Sequence, residues 1–566
     1  MNPEVPGIVR KVLPRLYEDA LLLAVDKPAG VPSGANLQHA HGGLAELLTS
    51  VRGGREKLFV VNRLGTNESG VLILAKNEPA ARAIRARMRA GAIAQEFVAV
   101  VTGRLKGRHF RIDPSHGSSR GRGKPPRPVV RKEGRAAGTS GPRRASEQFG
   151  RRAAPGTQVH VLRTEGESAL VRCLTTAAST HALLAQLRSA GMFVVGDERP
   201  GRYQRRTAPV PLHLHLARIE LDAPPQRGRL VLKSPIPRAW NAALAGSMDV
   251  EHALRAALAK RLVLFADPMT DAFRLICGAR EGLDGIVAEK FGDVVILQVR
   301  SDHPQTASSA RAAARWYGET LGPRAVVVKS FVKGGGLAQR PPAGPSVSGP
   351  APPPPDQTAI VENGIRFLIR TDKGSAVGLF LDQRENRRRV RELAEGRRVL
   401  NLFAYTCGFS VSAALGRAES TTSVDLSPAH LQWGRENFAL NRIEPRAHEF
   451  FAEDSPDFIK RARRQNRRYG MIILDPPTFA HARRGRRTFS VLADLAELVS
   501  RVADVLDPGG ILMVSTNHRG MSKRDLQARV KEGARGRRFE VIASPRLPVD
   551  FAADPGHAKT LFARFA

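Results

Sequence analysis

In the last third of the chain three acids each lie at or just beyond the end of an apolar run. Asp425 ends TTSVDL, Asp454 lies in FFAEDSPDF, and Asp475 ends MIILD, followed by Pro476, Pro477, Thr478 and Phe479. Ahead of them, VLNLFAYTCGFSVSAAL reads as a strand, a tight turn and a helix start, where backbone N–H groups can take a carboxylate. Asp425, about 20 residues beyond that turn, is placed to accept both hydroxyls of a ribose. Asp454 suits the amino group of a purine, with Phe450 or Phe458 nearby. Asp475 and Phe479 flank two prolines that fix the turn, so the acid and the ring can hold a planar base and point to chemistry at a ring nitrogen. GGILMVSTNHRG ends a further strand in Asn517, His518 and Arg519. Any one of these acids alone reads equally well as a helix cap, and His518 as a surface residue. The ordered series is what speaks for a site.

A carboxylate, a ribose and an adenine held in that order are the parts of S-adenosylmethionine, whose methyl group must face its acceptor in line. Such transfer asks the protein mainly for positioning. The elements that would do it are strands (RRVLNLF, TTSVDL, MIILD, GGILMVS) alternating with helical stretches, which imply a parallel sheet wound on both faces, with ligands at the carboxyl ends of its strands. This doubly wound, Rossmann-like domain is expected over 359–566.

Upstream the organisation changes several times, as roughly three or four domains' worth of length allows. Strand-like runs (LLLAVDKP, FVVNRL, VLILAK, FVAVV) and a helix over Ala80–Arg89 open a mixed β-sheet domain taken as 1–230. Inside it, residues 103–152 carry 15 Lys or Arg against three acids, with no periodicity, and read as a solvated basic loop suited to phosphates. A small α+β domain is expected over 251–333, then a Pro/Gly-rich linker over 334–358. The fold class is therefore multidomain, α/β and α+β.

The net charge of +36 exceeds what solubility requires and calls for a polyanionic partner. No apolar run approaches the roughly 20 residues of a spanning helix, and the basic residues are spread along the chain, so RNA is favoured over a membrane. Cys173, Cys277 and Cys407 are too few and too scattered for a disulfide framework or a zinc cluster, and no metal is expected. The compartment this implies is the cytoplasm.

YEDALLLAVDKPAGVP, VNRLGTNESGVLILAK, AIAQEFVAVVTGRL, STHALLAQLRSAGMFVVGDERPG and PLHLHLARIEL, in that order, resemble the RluA-type RNA pseudouridine synthases. The resemblance implies a catalytic Asp, a Tyr and an Arg; here those positions are Gly65, Phe97 and Leu184, and Gln95 stands for a Lys. Glu68 lies three residues on, at a different point of the turn. The domain is thus expected to be catalytically dead and kept for binding RNA.

The C-terminal block, with GLFLDQRENRR, AESTTSVDLSPAHLQW, ENFALN, DPPTF and STNHRG, resembles class I methyltransferases, and among them the guanine-N7 half of the bifunctional 23S rRNA guanine methyltransferase. RLICGAREGLDGIVAEKFGDVVILQ is similar to the small domain of the related 23S rRNA cytosine-C5 methyltransferases. The resemblance implies cofactor contacts from Asp382, Arg384, Asn401, Phe403, Ala404, Tyr405, Gly408, Asp425, Leu426 and Asp454, and catalytic roles for Asp475, Pro476, Phe479 and Asn517. Cytosine C5 needs a thiolate at C6, but the strand-end segment that would carry it reads Ser515-Thr516-Asn517, whereas guanine N7 has an exposed lone pair. The expectation is methylation of guanine N7 in 23S rRNA or a precursor of the large subunit. The alternatives are a non-catalytic RNA-binding or assembly factor, a cytosine-C5 methyltransferase, or an active pseudouridine synthase. Cys407 replaces the Gly of the family's turn; if the position needs positive φ, the change carries a cost or a rearrangement, and Gly408 is the neighbour that can take over the role.

Overall fold

The computed structural model describes residues 5–35, 43–54, 56–103, 105, 107–113, 130–132, 156–177, 179–197, 212–222, 229–237, 240, 250–300, 304–331, 357–371, 376–480, 489–554 and 556–566. The chain forms two compact units, residues 1–266 with 278–286 and 305–321, and residues 267–277 with 287–304 and 322–566.

The N-terminal unit is built on a twelve-stranded mixed sheet. Ser69–Ala75 is buried at every position, as an unbroken apolar run covered on both faces should be. It pairs in parallel with Leu214–Asp222, which pairs antiparallel with Gln95–Gly103. At the parallel contact Gly70 has φ +112°, and a Cβ there would lie 2.3 Å from the Leu216 carbonyl oxygen, so glycine is what lets the strands meet. The predicted helix spans Glu78–Arg89, with Asn77 capping the Ala80 amide at 2.9 Å. Most of the basic segment 103–152 lies outside the described residues; within it, His109–Ile112 and Val130–Lys132 pair as antiparallel strands.

In the C-terminal unit helix α1 (Arg384–Leu393) precedes a seven-stranded sheet of β1 (Arg398–Leu402), β2 (Ser420–Asp425), β3 (His448–Ala452), β4 (Tyr469–Leu474), β5 (Leu506–Thr516), β6 (Phe539–Ala543) and β7 (Lys559–Phe565). Its order is 3-2-1-4-5-7-6, parallel except for β7, which runs antiparallel to both β5 and β6. Helices α2 (Gly408–Leu415), α3 (Pro428–Leu440), α4 (Ser455–Arg464), α5 (Val491–Ala503) and α6 (Lys523–Ala534) alternate with the strands. Leu400, Ile472, Leu512 and Val514 pack with Leu495, Val499 and Leu526 in one core, the alternation expected of a doubly wound sheet.

The residues expected to form one small domain, 251–333, are divided between the units. Helix Val250–Lys260 belongs to the first, where buried Arg261 reaches both carboxylate oxygens of Glu281 at 2.6 and 2.8 Å. The strands from Ala272 to Phe331 and the hairpin Gln357–Glu362/Ile365–Arg370 belong to the second: Phe291, Ile296 and Val327 share a core with Phe367, Leu379 and Phe551. A common apolar core, rather than chain continuity, decides the grouping. The linker 334–358 falls outside the described residues up to Gln357.

One buried ion pair ties that hairpin to α1. Arg387 Nε and Nη2 donate to the two oxygens of Glu362 at 2.7 and 2.8 Å, and Nη2 also donates to the Phe380 carbonyl at 2.8 Å. Both side chains are below 5% exposed. Removing one partner leaves the other charge buried, so Glu362→Ala is expected to lower stability by about 3 kcal/mol or more, read from the denaturant midpoint of unfolding. A change under about 1 kcal/mol would show that Arg387 finds solvent or another partner.

Candidate cofactor and base-binding cavity

After β1 the chain enters a turn in which Phe403 (φ 57°), Tyr405 (φ 48°) and Cys407 (φ 61°) are all left-handed. Each such non-glycine residue costs roughly 1 kcal/mol or more, so the turn must be held from outside. Ala404 N–H donates to the Val424 carbonyl at 2.9 Å and Tyr405 N–H to Asp425 Oδ2 at 2.8 Å, which pins the turn to the end of β2. Asn437 Nδ2 donates to the Thr406 carbonyl at 2.9 Å, and Tyr405 Oη to the Ala376 carbonyl at 3.1 Å.

Cys407 keeps the positive φ. Gly408 does not take it over: it is the first residue of α2, and its missing Cβ instead leaves room for Leu379, whose Cδ1 would be 3.1 Å away. The cysteine fits because Gly434 on α3 faces it; a Cβ on Gly434 would lie 2.4 Å from Cys407 Sγ. Burial pushes this thiol up to about 12, so it stays neutral.

The turn forms one wall of a cavity of about 1020 Å³. Phe403, Ala404, Tyr405, Gly408, Asp425, Leu426 and Asp454 line it on that side; Asp382, Asp475, Pro476 and Asn517 line it elsewhere. Eleven predicted residues are thus brought together. Two are not in the wall. Arg384 is buried against Asp550 and the Ala272 carbonyl, and Asn401 lies behind the turn with its Nδ2 donating to Ser410 Oγ at 2.9 Å. The side chain of Phe479 lies outside the described residues. Gln383, Arg387, His430, and Asp494, Glu497 and Arg501 of α5 also line the cavity without having been foreseen. For Arg387 the signal was present, since it follows Arg384 by three positions on the same helix.

Burial pushes the Asp425 carboxyl up, but hydrogen bonds from His430 and from the Ser427 and Tyr405 amides outweigh it and hold it below its usual range. Each oxygen accepts one amide, which leaves a second lone pair on each for hydroxyls, the one on Oδ1 shared with His430 Nδ1 at 3.3 Å. Asp454 occupies the N-cap position of α4 without its side chain bonding the helix amides. Asp475 behaves in the opposite sense to Asp425. Burial first, and then the charge of Asp382, push it up to about 7 despite a hydrogen bond from Ser515. Ser515 is fully buried and also accepts from Gln383 Nε2 at 2.9 Å. Thr478 Oγ1 donates to Asn517 Oδ1 at 2.8 Å, tying the turn after β4 to the end of β5. No cysteine is among the described residues that line the cavity.

In the N-terminal unit Phe97 and Leu184 are 2% and 3% exposed and belong to its apolar core. Glu68 is closer to position 65 than its place in sequence suggested. Its carboxylate folds back to accept the Gly65 amide at 2.6 Å, and a Cβ at 65 would lie 3.0 Å from it. Buried Lys27 donates to the Glu68 carbonyl at 2.6 Å and to the carbonyls of Pro28 and Thr66, closing the loop from below.

A sheet of order 3-2-1-4-5-7-6, with a ligand turn after β1 and an acid ending β2, defines a class I S-adenosylmethionine-dependent methyltransferase, here joined to a pseudouridine synthase-like unit. Residues 345–554 match the family model of S-adenosylmethionine-dependent methyltransferases, and residues 21–188 that of RNA pseudouridylate synthases. The Ribosomal RNA large subunit methyltransferase I of Erwinia tasmaniensis is 34% identical over 289 residues, 49% of this chain and 69% of that protein. The Ribosomal RNA large subunit methyltransferase K/L of Methylococcus capsulatus is 39% identical over 197 residues; the match spans 35% of this chain but 26% of that protein. SMU.776, a structure assigned as a methyltransferase and solved complexed with SAH, superposes with a TM-score of 0.51 at 26% identity, covering 62% of this chain and 88% of that one. The chain belongs to the S-adenosylmethionine-dependent methyltransferase family that includes this Ribosomal RNA large subunit methyltransferase I.

Two substitutions test the local geometry. Gly434→Ala drives a methyl into Cys407 and is expected to weaken S-adenosylmethionine binding at least tenfold by calorimetry, a loss of about 1.4 kcal/mol; adding Cys407→Gly removes the clash and should restore most of it. An unchanged affinity in the single variant would show that the turn tolerates displacement. In the N-terminal unit Gly65→Asp sets a second carboxylate against Glu68, so its thermal midpoint should fall by several degrees, and Glu68→Ala added to it should recover the loss.

Proposed function

We propose that the protein methylates a guanine at N7 in 23S rRNA, and that its pseudouridine synthase-like unit is inactive and helps to bind the RNA. The observation that carries the reading is the cavity wall. It joins the cofactor turn to an acid and Pro-Pro at the end of β4, and its cysteine-free lining offers no thiolate to attack C6 of cytosine. Bound S-adenosylmethionine supplies an electrophilic methyl group on a sulfonium. The protein's part is orientation. The turn after β1 offers backbone N–H groups to the methionine carboxylate, Asp425 takes the ribose hydroxyls, Asp454 the adenine amino group, and Pro476 and Asn517 shape the slot for the base. Methylation at N7 removes no proton but leaves the ring cationic, so an ionised Asp475 beside it would lower the barrier. The excess of basic residues, with the protein acting in the cytoplasm, fits an RNA substrate; among the described residues no helix is long and apolar enough to cross a membrane. The names of the relatives, which specify large-subunit ribosomal RNA, support that substrate class.

The N-terminal reading rests on Gly65, Phe97 and Leu184. A pseudouridine synthase needs a carboxylate nucleophile, an aromatic hydroxyl and a charge partner, and two of those three positions are now core hydrocarbon.

The assay is rRNA incubated with labelled S-adenosylmethionine and then cleaved chemically at N7-methylguanine. Label should appear there in the unmodified protein. Asp425→Ala should abolish cofactor binding, and Asp475→Asn should lose transfer while still binding. Because a protonated Asp475 cannot offset a ring cation, transfer should fall as the pH drops through about 7. Label in 5-methylcytosine, or pseudouridine made by the unmodified protein, would overturn the assignment.

A further inference from the structure

The helices of the C-terminal unit hand the chain back to the sheet at the amino ends of its strands, opposite the cofactor turn. The connections that do so, 394–397, 416–419, 441–447, 465–468, 504–505 and 535–538, hold nine arginines, no lysine and four acids. They meet on one face: Arg463 and Arg537 both pair with Asp504, at 3.1 and 2.6 Å, and Arg468 Nη1 donates to the Leu506 carbonyl at 3.0 Å. Four of the nine are exposed, with no side-chain hydrogen-bond or ion-pair partner among the described residues. Arg442 and Arg446 precede β3 at one edge of the sheet; Arg535 and Arg538 precede β6 at the other. Six strand spacings separate the edges, roughly 29 Å. The backbone adds an independent sign. After α1, α2, α3, α4 and α6 the chain passes through a left-handed residue, in turn Gly396, Arg417, Arg442, Asn466 and Arg535. Glycine and asparagine are the usual choices there, because the conformation crowds any Cβ. Arginine stands at the other three in spite of the strain. A cation near a helix carboxyl end is favoured by the dipole, but a residue of the last turn provides that without a left-handed φ.

We propose that this face is a second RNA-contacting surface of the methyltransferase unit, which holds phosphates of a folded RNA segment other than the one that offers its base to the cavity. The guanidinium fork matches two phosphate oxygens at once, which is what an all-arginine set supplies and lysine does not. Contacts of this kind fix position without reading sequence. A face that presents free arginines at both edges is wider than one strand needs and suits the backbone of helical RNA, which is recognised by shape and phosphate. None of the large exposed apolar residues of the described chain lies in these connections, so a lipid surface would meet charge but receive nothing to insert. Gripping the substrate on both sides of the sheet favours a folded RNA over a free strand that carries the same target base. The inference rests on the reading of the substrate as RNA and is independent of which ring atom is methylated.

Filter binding of the full chain to 23S rRNA, from about 50 to 200 mM salt, tests it. Two pairs of substitutions each clear one edge: Arg442→Asn with Arg446→Gln, and Arg535→Asn with Arg538→Gln. Arg388→Gln with Arg389→Gln is the control, removing the same charge from α1, where both pair with acids of that helix. Each edge pair should weaken binding about tenfold and lower the slope of log affinity against log salt by about 1.4 to 1.8, the share of two phosphates; the control should change affinity by less than about twofold. Affinity for S-adenosylmethionine by calorimetry should not change, and the thermal midpoint should hold or rise, since Asn suits a left-handed φ. Equal losses in the control would mean that only net charge is sensed. An unmoved salt slope, or a fall in S-adenosylmethionine affinity in step with that for RNA, would mean that the arginines only support the fold. Binding to phosphatidylserine vesicles that the edge pairs lose while keeping RNA would assign the face to a lipid surface. Each of these overturns the proposal. If an edge pair does not fold, Arg446→Gln with Arg538→Gln leaves both left-handed positions alone and gives the same decision. Failure of the unmodified protein to bind 23S rRNA would remove the substrate reading, and the proposal with it, whereas label in 5-methylcytosine would touch the N7 assignment alone.

Discussion

The amide of Tyr405 bound to Asp425 is the contact on which the C-terminal unit's site depends. It joins the first loop of the sheet to the second across the point where strand order reverses, from β1 toward β2 on one side and toward β4 on the other. The turn is strained at three positions, and little in its own sequence favours that shape. What stabilises it comes from β2 and α3: the Val424 carbonyl, the Asp425 carboxylate, the Asn437 amide and the gap at Gly434. The cavity wall is therefore a tertiary product. A strain of a few kcal/mol is held there because packed elements on both sides leave the chain no other path.

Charge is distributed against the trend of the molecule. A chain with a net charge of +36 concentrates carboxylates around one cavity, with Asp382, Asp425, Asp454 and Asp475 on its wall. A basic exterior suits a polyanion, while an acidic interior suits a cationic sulfonium and a base that becomes cationic on methylation. Burial would neutralise such acids if nothing opposed it. Asp425 and Asp382 stay below the normal range because amides and cations face them, whereas Asp475, with one hydroxyl donor and a like charge beside it, rises. Environment thus assigns different work to chemically identical side chains.

What could be read from the sequence follows from the range of the interactions involved. Strand-ending acids and the DPP turn are local signals, and Asp425, Asp454 and Asp475 all reach the cavity. Arg384 and Asn401 were placed by resemblance, and the structure turns both away because their partners, Asp550 and Ser410, come from elsewhere in the fold. The approach of His557 Nε2 to within 3.4 Å of Asp382 Oδ2 carried no signal either, since 175 positions separate the two in the sequence. The residues 251–333 expected as one small domain fall in both compact units for a related reason: composition marks linkers, whereas shared apolar cores group the strands. The fold Cys407 adopts was half legible. A special demand on the backbone there was foreseen, with Gly408 as the residue to meet it, but Cys407 itself keeps the positive φ and is accommodated by a glycine 27 positions away.

On the proposed reading of the N-terminal unit as inactive, its packing accounts for a fold that persists without the site. Replacing an aromatic hydroxyl by Phe97 and a cation by Leu184 exchanges buried polar groups, which need partners, for hydrocarbon that packs without any. Burying such side chains contributes roughly 1.5 to 3 kcal/mol each. Loss of the carboxylate at 65 leaves a gap that Glu68 fills by bonding the Gly65 amide, so the loop stays closed. The change is hard to reverse: a new Asp at 65 would meet Glu68, and it would find neither the hydroxyl nor the cation that its chemistry requires.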